Sequence, residues 1–328
     1  MRNNTKPENG APLAAGIDFG GTSIKMALVD RNGGIRSRKT IPTRNLADRR
    51  AGLDAMAGGI EELKSAAGLT PADPIAGVGI GVPGFVDFER GHIHVLVNVP
   101  GWDDVPLRAL MEERLSLAVR VDNDVNVMAL GECTYGAGKN FEHALFVTLG
   151  TGVGGALLLD GRIYRGAHSM AGEIGHMSID MNGVDSPMGR GGLEQYIGNR
   201  RIIERAQTLM KGEPSSVLHT WCEGDPGRVT PQMIQKAAEE DDRVGLDVYD
   251  FVAECLSTAF ASTAYLIQPQ AIIIGGGIGL SGRVLFDPLR RHLEERLHRD
   301  FFSRLEITPA ILGNDAGVIG GASLARQA

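Results

Sequence analysis

The sequence predicts an α/β protein of two lobes, and three observations carry that expectation. At 328 residues the chain exceeds the length at which one hydrophobic core keeps growing, so two lobes of about 150 residues, with a cleft between them, are expected. A strand, glycine turn and second strand occur at Gly16–Asp30 and again at Leu145–Leu159, two copies in sequence order. After each copy, helical and strand-like patterns follow one another.

The first copy opens with Gly16–Phe19, breaks at Gly20-Gly21-Thr22 and resumes at Ile24–Asp30. An Asn32-Gly33 turn then leads to a third strand near Ile35–Pro42, giving an antiparallel meander. Asn45–Ala67 reads as a helix, Ile75–Val82 as a buried strand, Leu107–Leu115 as a helix and Ala118–Asp122 as a strand. In the second copy, Leu145–Leu149 runs into Gly150-Thr151-Gly152-Val153-Gly154-Gly155, resumes at Ala156–Leu159, and returns after Asp160-Gly161 as Arg162–Tyr164. Helices are expected at Leu193–Met210, at Pro231–Glu240 behind a Thr230 cap, and at Val248–Ile267. The strand Ala271–Ile274 meets Gly275-Gly276-Gly277, and Gly212–Gly227 reads as a surface excursion. The boundaries expected are a disordered tail over 1–12, an N-terminal lobe over 13–122 joined by a C-terminal helix over 315–328, and a C-terminal lobe over 123–314.

Composition narrows the function. The 45 glycines are about twice the usual share of roughly 7%. A formal net charge of −7 argues against nucleic acid as the main partner. Cys133, Cys222 and Cys255 are too few and too scattered for a disulfide framework or a four-ligand metal knot, which fits a reducing compartment. The most apolar long stretch, Ala144–Leu159, is interrupted by four glycines and two threonines, and the N-terminus has no signal-like apolar core. The expectation is a cytoplasmic protein with no membrane partner.

Glycine reaches positive φ without strain and lets backbone N–H groups approach an anion, so a strand ending in Gly-Gly-Thr can cradle phosphate. One such turn is as readily an ordinary hairpin. Three at strand ends, one beside an Asp suited to a hydrated Mg²⁺, favour the cradle. Gly150–Gly155 also spells the dinucleotide fingerprint, but that motif needs a helix to follow and the residues that follow read as strand and turn.

Asp122-Asn123-Asp124 closes a strand before a helical run. Asn123 or Asp124 there is an obvious helix cap, and a carboxylate in that place is equally a base for a hydroxyl nucleophile in phosphoryl transfer. Glu173 and His176 stand three apart in Gly172-Glu173-Ile174-Gly175-His176, and Glu194 follows Gly191-Gly192-Leu193. Each alone is an ordinary surface pair or first-turn charge. Together with Asn123 and Asp124 they make a set of acceptors and donors suited to several adjacent sugar hydroxyls.

These motifs, in this order, resemble the ROK family (repressors, open reading frames and kinases) of the actin-like ATPase and sugar-kinase superfamily over about Leu13–Leu324. Asp18-Phe19-Gly20-Gly21-Thr22 resembles its first phosphate motif, Gly150-Thr151-Gly152-Val153-Gly154 its second, and Gly275-Gly276-Gly277 its turn near the adenosine. Gly81-Val82-Pro83-Gly84, Asn98, Asn123-Asp124, Gly172–His176 and Leu193-Glu194 resemble its sugar side, and Leu312–Gly317 its closing segment. The resemblance implies a two-lobed actin-like ATPase (ribonuclease H-like) α/β fold with duplicated βββαβα lobes. It implies Mg²⁺-ATP as donor, with Asp18 near the metal through water and Gly20, Gly21, Thr22, Ser23, Thr151, Gly152, Gly276 and Gly277 around the nucleotide. It further implies Asp124 as the base on the sugar 6-hydroxyl, with Gly84, Asn98, Asn123, Glu173, His176 and Glu194 binding the sugar, and a homodimer.

One departure stands out. Many family members follow the His with a Cys-x-Cys-Gly-x-x-Gly-Cys zinc motif, whereas this chain has Asp185-Ser186-Pro187-Met188-Gly189-Arg190-Gly191-Gly192. A closed zinc site needs four good ligands, so no zinc is expected, and the loop bearing Glu194 must be ordered by Pro187, turn glycines and packing. The leading expectation is an ATP-dependent glucokinase, with an N-acetylglucosamine or N-acetylmannosamine kinase as the neighbouring alternative. A sugar-responsive repressor would carry a DNA-binding helix-turn-helix ahead of the first phosphate motif, for which the residues before Leu13 do not suffice. A non-catalytic sugar-binding protein would not need both phosphate turns and Asp124.

Overall fold

The computed structural model describes residues 12–43, 48–96 and 99–327, and the chain divides into two compact units. The expected leader therefore lies outside the described residues except for Pro12, as do Asn98 and the first residues of the helix expected from Asn45.

The first unit comprises residues up to 140, 165–171 and 312 onward. It opens with β1 (Ala14–Phe19), β2 (Ser23–Val29) and β3 (Ile35–Pro42), followed by α1 (Arg49–Ala66) and β4 (Val78–Val82). A hairpin of β5 (Gly84–Asp87) and β6 (His92–Leu96), α2 (Leu107–Leu115), β7 (Val119–Asn123) and α3 (Asp124–Tyr135) complete the run. The sheet order is β3-β2-β1-β4-β7, with the first three strands antiparallel and β1, β4 and β7 parallel. Parallel neighbours need crossovers, and α1 and α2 supply them.

The second unit comprises 141–164 and 172–311. It contains β8 (Ala144–Leu149), β9 (Val153–Leu159), β10 (Arg162–Tyr164), the short hairpin β11 (Asp185–Ser186) and β12 (Gly189–Arg190), α4 (Glu194–Ile197), α5 (Asn199–Met210) and α6 (Leu218–Trp221). Then come α7 (Pro231–Glu239), α8 (Arg243–Ile267), β13 (Ala271–Gly275), α9 (Gly276–Gly279), α10 (Arg283–Arg296), α11 (Arg299–Phe302) and β14 (Glu306–Pro309). Its sheet order, β10-β9-β8-β13-β14, repeats that of the first unit. The last helix, α12 (Ala316–Ala325), returns to the first unit.

Strand alternation decides which residues face which layer. In β1, Ala15, Ile17 and Phe19 enter the core that holds Ile60 and Trp102, with the Phe19 and Trp102 rings edge to face at 4.8 Å. Gly16 and Asp18 point the other way, toward α12. There the packing is backbone on backbone: a Cβ on Gly16 would lie 1.8 Å from Val318 O, one on Gly79 1.9 Å from Gly321 O, and one on Gly320 1.8 Å from Val127 O. Gly16, Gly79, Gly131 and Gly320 thus serve the close contact between α12, α3 and the sheet.

Four expectations change. The boundary expected after Asp122 falls inside the first unit, because α3 packs against α12 there. The single helix expected over Leu193–Met210 is broken at Gly198, where a Cβ would lie 2.9 Å from Thr151 O. Gly212–Gly227 is not wholly a surface excursion, since Leu218 and Cys222 are fully buried. The helix expected from Val248 begins a turn earlier, capped by Asp242, whose carboxylate accepts from Gly245 N. Among the described residues no helix is long and apolar enough to cross a membrane.

Candidate functional site

In the first unit the candidate groups collect at the carboxyl ends of β1, β4 and β7, where Asp18, Gly81 and Asp122 are in register. Ligands of open α/β sheets bind outside such strand ends. The first glycine turn is closed by Gly20 N donating to Ser23 O at 3.0 Å and by Thr43, whose Oγ1 donates to Gly20 O and whose N donates to Thr22 O. Gly21 and Thr22 are left exposed at its tip, with Ser23 behind them.

Asp18 faces Lys25 across the β1–β2 ladder, its Oδ2 3.8 Å from Nζ. Burial pushes its carboxyl above the ordinary range, and Lys25 opposes that rise. A Cβ on Gly317, at the start of α12, would lie 2.8 Å from Asp18 Cγ, so that glycine leaves the carboxylate its room. Mg²⁺ is commonly held by one or two carboxylates, water and substrate phosphates. One part-buried carboxylate beside an exposed glycine turn fits that donor set.

At the end of β7, Asn123 is the N-cap of α3. Its Oδ1 accepts from Val125 N at 2.9 Å and Asn126 N at 3.2 Å, while its Nδ2 donates to Gly84 O at 3.2 Å. Gly84 sits at φ 126° with no room for a Cβ beside Val95 O, so it contributes a backbone carbonyl that turns the Asn123 amide. Asp124 is the first helical residue, its Oδ1 accepting from Val125 N at 2.9 Å. Cap and candidate base are thus consecutive residues of one corner.

In the second unit the candidates converge on the start of β9. Gly150 N donates to Gly152 O at 3.0 Å, closing the second turn and leaving Thr151 exposed. Val153 N donates to Glu194 Oε2 at 2.8 Å, and a Cβ on Gly152 would lie 2.2 Å from that oxygen. Glu173 and His176 bracket a 3-10 turn over Ile174–His176, with Nε2 of His176 3.8 Å from Oε2 of Glu173. That turn rests on β9, since a Cβ on Gly175 would lie 2.1 Å from Val153 O. Burial, with Glu194 reinforcing it and His176 opposing it, raises the Glu173 carboxyl above its ordinary range. Thr151, Gly152, Glu173, His176 and Glu194 therefore cluster about one residue, Val153.

Gly276, at φ 79°, lies against Leu149 O, and Gly277 faces open space. Just beyond this turn opens a cavity of about 830 Å³ lined by Glu239, Leu246, Leu280, Ser281, Gly282 and Arg283, among others. Of its lining, Ser281 is held by a buried hydrogen bond of 2.7 Å with Tyr249. No sequence motif marks this cavity, because its lining comes from separate helices.

The loop before Glu194 is tied by Tyr196. The phenol accepts from Val184 N and donates to Asp180 Oδ2, both at 3.3 Å, and Gly183 has no room for a Cβ beside the phenol oxygen of Tyr196. Arg190 and Asp185 pair across the β11–β12 hairpin at 2.7 Å and 3.1 Å. Beside the expected Pro187, turn glycines and packing, the hydrogen bonds of Tyr196 with Val184 N and Asp180 anchor this loop. Among the described residues no group of three or more His, Cys, Asp or Glu could hold a metal ion.

Comparison with known proteins places the chain in a family. The ROK family model matches residues 14–328. The glucokinase of Halalkalibacterium halodurans is 36% identical over 323 residues, covering 95% of this chain and 94% of the relative. The glucokinase of Streptomyces coelicolor is 33% identical, covering 96% and 98% respectively. A ROK family glucokinase from Streptomyces griseus, solved with glucose and AMPPNP, superposes with a TM-score of 0.79 at 31% identity, covering 96% of this chain and 100% of that one. A duplicated sheet order, a glycine turn in each copy and a family match that runs through both copies lead to one conclusion: this chain, with its actin-like ATPase fold, belongs to the ROK family.

Proposed function

We propose that this chain, an ATP-dependent sugar kinase, is a glucokinase that transfers the γ-phosphoryl group of Mg²⁺-ATP to the 6-hydroxyl of glucose. The observation that carries the reading is the convergence of Glu173, His176, Glu194 and the second glycine turn on Val153. Groups suited to sugar hydroxyls and a turn suited to phosphate then share one anchor, as a transfer from one ligand to the other requires. Glucose in particular is supported by the relatives and the solved structure named above.

In this reading Asp124 accepts the proton of the attacking hydroxyl while Asn123 and the three side chains around Val153 hold the ring. Asn98 is included in that set by family resemblance. The turns at Gly20–Ser23 and Gly150–Gly152 hold the phosphates, and the cavity beyond Gly276-Gly277 receives the nucleoside. Asp18 would hold Mg²⁺ beside these turns, and the ion would supply neutralisation of the charge that spreads over the transferring group. The hydroxyl's acidity rises as it bonds to phosphorus, so a carboxylate suffices to take its proton. ADP release would be followed with a panel of sugars that includes glucose, mannose, N-acetylglucosamine and N-acetylmannosamine, and the product assigned by phosphorus NMR. Glucose-dependent ADP release with glucose 6-phosphate as product is expected. Absence of sugar-dependent ADP release, or preference for an N-acetylated sugar, would refute the glucokinase reading.

A further inference from the structure

We propose that Arg165 is a positioning residue for this phosphoryl transfer, acting through the buried carboxylate of Asp122 on the Asn123–Asp124 corner; the inference rests on the reading of Asp124 as the base. Asp122 is 2% exposed, and both of its oxygens are committed. Oδ2 accepts from Arg165 Nε at 2.9 Å and lies 2.8 Å from Nη2. Oδ1 accepts from the backbone N of Asn123 at 2.8 Å and from Asn126 Nδ2 at 3.1 Å. The first of these Oδ1 bonds sets the peptide plane from which Asn123 and then Asp124 project. The second fixes the Asn126 amide against Asp122, and the buried Oδ1 of that amide has no hydrogen-bond partner among the described residues.

Arg165 is itself held. Its guanidinium lies 3.6 Å from the centroid of the Phe88 ring, and its carbonyl accepts from Ala171 N at 3.0 Å. Ser169, in the same short segment, accepts from Phe88 N at 3.3 Å. A planar fork that gives two N–H groups to one carboxylate while lying on a ring is not reproduced by an ammonium. The chain brings this fork in from outside the local fold: residues 165–171 are a segment of the first unit inserted between two stretches of the second. A buried pair serving only stability has no need to bond directly to the backbone N–H that precedes the base. This one does, so loss of the fork frees Asp122 and lets the corner shift.

The test uses the full chain with Arg165→Gln, Arg165→Lys, Asp124→Ala and the double variant Arg165→Gln/Asp124→Ala, with glucose binding and steady-state kinetics measured on each. Arg165→Gln is expected to lower kcat roughly tenfold to a hundredfold, as small misplacements of reacting groups do, with glucose affinity changed by less than about threefold. Arg165→Lys is expected to recover little of the loss, and the double variant to be no slower than Asp124→Ala. Should Arg165→Gln not fold, Asp122→Asn/Arg165→Gln leaves no lone buried charge and is read in the same way. Wild-type kcat in a folded Arg165 variant, or a loss that multiplies with that of Asp124→Ala, overturns the inference while leaving the base in place. Retained turnover in Asp124→Ala alone overturns the base assignment instead, and the proposed route with it.

Discussion

The two units share a sheet order and differ in what stands at the strand ends. In the first, the fifth residue of β1 is Asp18, opposite Lys25 and Gly81; in the second, the fifth residue of β8 is Thr148, opposite Gly154 and Gly275. The outer parallel strand of the first unit, β7, runs into Asp122-Asn123-Asp124, whereas β14 of the second ends at Pro309. The second unit carries its acids on insertions instead: Glu173 on a 3-10 turn after β10 and Glu194 at the head of α4. The architecture is duplicated and the chemistry is divided, with the proposed base, metal carboxylate and Asn123 at the strand ends of one sheet and the proposed ring-binding acids and imidazole hung on loops of the other.

The most severe test of that division removes the base. Asp124→Ala is expected to lower kcat by about 10² to 10⁴, the usual contribution of general base catalysis, while glucose binding measured by calorimetry stays within a few-fold. A similar loss from Thr148→Ala would break the asymmetry. The next test contrasts two glycines. Gly79→Ala puts a Cβ 1.9 Å from Gly321 O and is expected to cost about 3 kcal/mol or more, as backbone overpacking does. Gly277→Ala meets nothing within 4 Å, so its melting temperature should be unchanged while KM for ATP rises. Thermal denaturation and kinetics on the pair distinguish a packing glycine from a ligand glycine.

A smaller effect tests the loop of the second unit. Tyr196→Phe is expected to cost about 1 kcal/mol, the net worth of an ordinary hydrogen bond, and to weaken glucose binding through Glu194. A zinc chelator should leave the melting temperature of the wild type unchanged. The smallest effect concerns Glu173, whose folded carboxyl titrates above its ordinary value of 4.5 because of burial and Glu194. Between the ordinary and the raised value the folded state holds the proton more tightly than the unfolded state does, so this group's contribution to stability falls as pH rises through that window. Glu173→Gln should therefore raise the melting temperature slightly at neutral pH, with the gain vanishing in acid, and weaken sugar binding at neutral pH. An unchanged difference across pH would mean that Glu173 is not perturbed in this way.

The meanders and the helix Leu107–Leu115 were legible because alternation and turn residues are local signals. The hairpin β5–β6 was not, since its register shifts between Phe85 and Val86 and interrupts the alternation. The break at Gly198 was hidden for a related reason: it is imposed by Thr151 O, a contact across the sequence. Among the site groups, Asp18, Thr151, Glu173 and Glu194 lie in compact motifs and could be picked out. Arg165 and Tyr196 could not, because neither has an unusual neighbour in sequence and each works on a partner supplied by folding. Asn123 illustrates a third case, in which the side chain that caps α3 and bonds to Gly84 O is also the one proposed to meet the sugar.

The return of α12 to the first unit has a consequence for biosynthesis. The face of β1 and β4 that it covers, with Gly16 and Gly79 shaped to its backbone, stays bare until the ribosome has translated past residue 316. Everything from 172 to 311 has been synthesised by then. The half made first is thus the half that matures last, reversing the usual vectorial order in which N-terminal domains settle before later ones emerge.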